Sequence, residues 1–123
     1  MDNDDAQVRE VLSKVWGPHY RFVGEDYVNQ IQDAAQTAKP VEEIVTAARG
    51  GDDFDWVESV KILYEAIKVI NVVLTLYFGA KRLLTKEELS NKVRESGVVN
   101  DTTNPAVASK VEMVVESVTS SDK

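Results

Sequence analysis

The chain has 123 residues, 43% of them hydrophobic and 28% charged, with one histidine and no cysteine. That length holds one domain with a modest core, and the lack of cysteine excludes disulfides, thiolate zinc sites and cysteine nucleophiles. The net charge of −7 is uneven: residues 1–58 hold 13 acidic and 5 basic side chains, and residues 59–123 hold 8 and 9. The acidic first half repels a polyanion and favours a basic partner, or head-to-tail contact between copies of the chain.

Met1-Asp2-Asn3-Asp4-Asp5 lacks the basic and apolar regions of a signal peptide, so a cytoplasmic location is expected. A first helix should start near Asp4 or Asp5 and run to Trp16, with Val8, Val11, Leu12, Val15 and Trp16 on one face. Gly17-Pro18 should stop it, leaving His19-Tyr20-Arg21-Phe22 as an aromatic connector. A second helix is expected over 25–38, packing through Tyr27, Val28, Ile31, Ala34, Ala35 and Ala38. Pro40 suits the first turn of a short third helix over 41–49, with Ile44, Val45 and Ala48 as its stripe and Gly50-Gly51 as its end.

Residues 54–78 read as one long helix, roughly 37 Å at 1.5 Å per residue. Its polar positions, Glu58, Lys61, Glu65, Lys68, Asn71 and Thr75, fall at gaps of 3 or 4 and draw a single narrow stripe. Nearly all the rest is apolar, so other helices, a partner or lipid must wrap it. The apolar run over 69–78, interrupted only by Asn71 and Thr75, is about half of the ~20 residues a membrane span needs. Extending it backward brings in Lys68 and Glu65. A buried helix in a bundle is therefore the expectation. Asp53 or Asp55 should cap it, with Asp52 and Glu58 also at its positive end. These acids lack the spacing and internal glycine of a calcium loop. Gly79 should end the helix, with Lys81 and Arg82 near its negative pole.

Thr85-Lys86-Glu87-Glu88 forms a capping box that starts a fifth helix to about Ser96, with Leu89 and Val93 inward and Gly97 as a left-handed cap. After a loop over 98–104, Pro105 opens a sixth segment to Val118. Val107, Val111, Val114, Val115 and Val118 make a helical stripe there, although the β-branched run 111–115 also tolerates a strand. Residues 1–118 form the domain, and residues 119–123 are expected to be a disordered polar tail.

Little here carries chemistry. His19 stands without a nucleophile motif, and no phosphate loop or zinc signature occurs. No catalytic residue, cofactor or metal is expected. Leu84 to Gly97, in the basic region Lys81, Arg82, Lys86, Lys92 and Arg94, resembles the second helix and turn of a winged-helix DNA binder. The segment after Pro105 would then read DNA, yet Lys110 is its one cation before the tail. Trp16, Phe22, Trp56, Tyr64, Tyr77 and Phe78 suggest an apolar-ligand site as a further alternative.

The expected fold is an all-α bundle of five or six helices around the long one, and this outline resembles death-fold adaptor domains in helix count alone. The expected function is a non-enzymatic protein–protein interaction or assembly module, acting as homo-oligomer or adaptor. Its expected contacts are Leu74, Leu76, Tyr77 and Phe78, together with Asp52, Asp53, Asp55, Lys81, Arg82 and Lys86.

Overall fold

The computed structural model describes residues 2–37, 39–43, 54–81 and 83–121. Among these residues the chain is all-α, with seven helices and no strand. They are α1 (Asp2–Val15), α2 (Gly17–Val23), α3 (Glu25–Gln36), α4 (Phe54–Gly79), α5 (Lys86–Ser96), α6 (Pro105–Ala108) and α7 (Val111–Ser121). Residues 41–43 begin the expected third helix. Its stripe Ile44, Val45 and Ala48, its stop at Gly50-Gly51, and Ala38 lie outside the described residues.

The long helix α4 packs against every other helix, as its composition requires. Around it α3, α2, α1, α7 and α5 follow one another, each touching the next. Val60, Leu63, Ala66, Ile67, Ile70 and Val73 are 0% exposed and form the axis of the core. Burying a valine, leucine or isoleucine side chain of this kind contributes roughly 1.5–3 kcal/mol. Trp56 meets Tyr27 of α3 edge-on, with ring centroids 5.1 Å apart.

Gly17-Pro18 ends α1 as expected but opens α2 at once. Proline in a first turn forfeits no hydrogen bond, because the N–H it lacks has no partner inside the helix. His19, Tyr20, Arg21 and Phe22 are therefore helical rather than a connector. Gly24, at φ 96°, then turns the chain into α3 with a conformation closed to residues that carry a Cβ. At the other end of α4, the positive φ falls not on Gly79 but on Lys81, at 56°.

Trp16 fills the junction of α1 and α2 and is fully buried. Its Nε1 donates to the carbonyl of Ala106 at 3.1 Å, joining the first turn of the chain to α6. Lys110 Nζ donates to the carbonyl of Val15 at 3.2 Å and so caps the C-terminus of α1. That bond accompanies a break in the expected sixth helix, where Ser109 and Lys110 turn the chain between α6 and α7. Val114, Val115 and Val118 are 0% exposed, so packing overrides their β preference and the segment is helix. α7 also runs three residues past Val118, to Ser121, into the expected tail.

Two residues of the polar stripe on α4 serve an internal purpose. Glu65 Oε1 accepts from the backbone N–H of Asn104 at 2.8 Å, and Glu58 Oε2 accepts from its Nδ2 at 3.1 Å. The remaining oxygen of Asn104 caps α6 by accepting from the Ala106 N–H at 2.8 Å. One asparagine therefore satisfies two carboxylates and a helix end. Asn104→Ala should lose about 1–2 kcal/mol of stability in chemical denaturation. Asn104→Asp should lose a comparable amount, because it keeps the cap but sets a second carboxylate against Glu58. An unchanged Asp variant would reduce the contact to ordinary capping.

Candidate functional site

Two of the contact residues expected at the end of α4 belong to the core: Leu74 and Tyr77 are only 4% and 5% exposed. Leu76 and Phe78 are half-buried and pack against the core. Lys81 and Lys86 are exposed. Asp52, Asp53 and Arg82 lie outside the described residues, and Asp55 is the second residue of α4.

An open site lies elsewhere, between α5 and α7. Lys86, Ser90 and Arg94 repeat at four-residue intervals and, with Glu87 and Asn91, present one polar face of α5. Glu112, in the first turn of α7, faces them. Together these residues line a groove of about 480 Å³. Ser90 Oγ and Arg94 Nη2 both donate to Glu112 Oε2, each at 2.6 Å. A second cross-link runs from Lys86 Nζ to Glu116 Oε1 at 3.9 Å.

Beyond the Arg94–Glu112 pair lies a smaller pocket of about 120 Å³, lined by Val93, Val99, Ala108 and Val111 as well as by the pair itself. The pair is thus a wall common to a polar groove and an apolar pocket. Its side chains are 63% and 52% exposed, and pairs so exposed contribute roughly 0–1 kcal/mol. Of the described residues expected to form contacts, only Lys86 belongs to this groove. The meeting of Ser90 and Asn91 with Glu112 and Glu116 depends on the register of α7 against α5, which no local pattern encodes.

Other candidates resolve into structure. His19 Nδ1 lies 3.0 Å from Ser59 Oγ. Ser59 is 5% exposed, and no carboxylate among the described residues hydrogen-bonds the ring, so the pair lacks both access and an orienting acid. No group of three His, Asp or Glu residues suited to a metal occurs among the described residues. Trp16, Trp56 and Tyr77 belong to the core, while Phe22 is 53% exposed. Tyr64 donates its hydroxyl to the carbonyl of Lys39 at 2.6 Å. None of these aromatic residues lines the groove or the pocket.

Residues 83–118, within the region resembling a winged helix, hold α5, α6 and most of α7 without a strand, so a β wing is not among them. One helix, spanning Trp56–Gly79, is long and apolar enough to cross a membrane, and half of its most apolar window is buried inside the bundle. The chain matches no protein-family model, no curated protein and no solved structure.

The two neighbouring aromatic positions separate core from surface. Tyr77→Asp should abolish cooperative thermal unfolding, because it places a carboxylate among apolar side chains. Phe78→Asp should leave a folded chain with a lowered melting temperature. Circular dichroism of both variants checks this, and a normally folded Tyr77→Asp would show that the end of α4 is open after all.

Proposed function

We propose that this protein is a non-enzymatic interaction module that receives a segment of a partner protein in the groove between α5 and α7. The observation that carries this reading is the joining of a broad polar groove to a small apolar pocket across the exposed Arg94–Glu112 pair. Such a pairing suits a linear segment, whose polar atoms find donors and acceptors while one side chain is buried. The mixed charge of the groove suits a peptide better than a nucleic acid, which the net charge of −7 repels.

Selection from a displayed library of random linear peptides on the full chain tests this. Ala108→Trp, a change at an exposed position in the pocket lining, should abolish capture of the selected peptides while the melting curve stays close to that of the parent. Capture that is equal on parent and variant would remove the groove from the account. Light scattering over a range of concentrations distinguishes a second copy as the occupant: mass then rises with concentration for the parent and not for Ala108→Trp.

A further inference from the structure

We infer that the groove selects a basic side chain, arginine above lysine, next to a small aliphatic residue on the incoming peptide. This rests on the reading of the groove as a docking site and adds the chemistry of the ligand. Three carboxylates stand there against two cations: Glu87 and Glu112 line the groove and Glu116 borders it, with Lys86 and Arg94 opposite. Arg94 is engaged closely by Glu112, whereas Lys86 meets Glu116 only at long range.

Glu112 retains capacity for a further donor. Ser90 and Arg94 both use its Oε2, so Oε1 keeps its lone pairs, and a carboxylate accepts from several donors at once. Glu116, one turn further along α7, meets Lys86 only at 3.9 Å, a loose contact that an incoming cation replaces easily. An arriving guanidinium therefore finds Glu112 Oε1 and Glu116 on neighbouring turns of one helix, and its planar fork suits such carboxylates better than an ammonium does. The charge of the whole chain, −7, draws the same sign of ligand toward the surface. An acidic peptide would instead have to displace Glu112 from Ser90 and Arg94 and then face the remaining carboxylates.

The apolar pocket sets the neighbouring residue. Its volume of about 120 Å³ between Val93, Val99 and Val111 suits a small aliphatic side chain such as alanine or valine. Because the Arg94–Glu112 pair borders both compartments, the basic and aliphatic residues must be adjacent or nearly so in the peptide.

The test is an NMR titration of the full chain with acetyl-Ala-Arg-Val-Ala-amide and with the same peptide carrying glutamate in place of arginine. The arginine peptide should shift the amides of Ser90, Asn91 and Glu112 and bind at least tenfold more tightly than the glutamate peptide. Glu112→Gln combined with Glu116→Gln should erase that preference. Glutamine still accepts from Ser90 and Arg94, so this variant keeps the α5–α7 contact, and its melting curve verifies that. Equal binding, tighter binding of the glutamate peptide, shifts confined to other helices, or no binding by either peptide at millimolar concentration overturns the inference. Acidic peptides recovered from the library and lost on Ala108→Trp would overturn this ligand chemistry while leaving the docking groove intact. Library peptides indifferent to Ala108→Trp would overturn both.

Discussion

The structure depends on one constraint: α4, 26 residues long, is apolar around most of its circumference and must be covered on nearly every side. Small helices answer this by arranging themselves about it, and α1, α2, α3, α5, α6 and α7 all touch it. Close packing on that scale leaves no large apolar stripe for a partner at the end of α4, where Leu74 and Tyr77 are as buried as the rest of the core. The groove proposed as a docking site lies instead at the periphery, where polar side chains of α5 and α7 meet.

The same constraint explains how α4 uses its few polar residues. Ser59 is buried and partnered by His19, and Glu58 and Glu65 hold Asn104. A buried or half-buried polar group is costly when unpaired, so each of these positions pins a neighbouring segment to the helix. Asn104 begins α6, and the Trp16 and Lys110 contacts tie the α6–α7 turn to the end of α1. These bonds place α7 beside α5 and thus give the groove its width. Across the groove, its walls are joined by two exposed ion pairs and one short bond from Ser90.

Much of the fold was legible because it is written locally. The stripe on α4, the capping box at Thr85 and Glu88, and the left-handed Gly97 all follow from spacing or from a single residue's stereochemistry. Gly17-Pro18 was harder to read, since the same dipeptide that breaks one helix can begin the next. The turn at Ser109 and Lys110 has no glycine or proline to announce it, and it accompanies a contact with Val15 far away in sequence. The groove was illegible for a related reason. Lys86, Ser90 and Arg94 fall on one face of α5 by period alone, but their partners Glu112 and Glu116 are supplied by tertiary packing. Counting charges marks the region as basic, whereas the structure pairs two of its cations, Lys86 and Arg94, with carboxylates.

Native-state hydrogen exchange is the measurement that tests the central claim most directly, because it reads the stability of α4 residue by residue. If the chain wraps this helix completely, the amides from Leu63 to Val73 exchange only through global unfolding, with the free energy and denaturant dependence of the whole domain. Exchange of that stretch through local openings, with a free energy well below the global value, would contradict the account. The long helix would then need a partner to complete its cover.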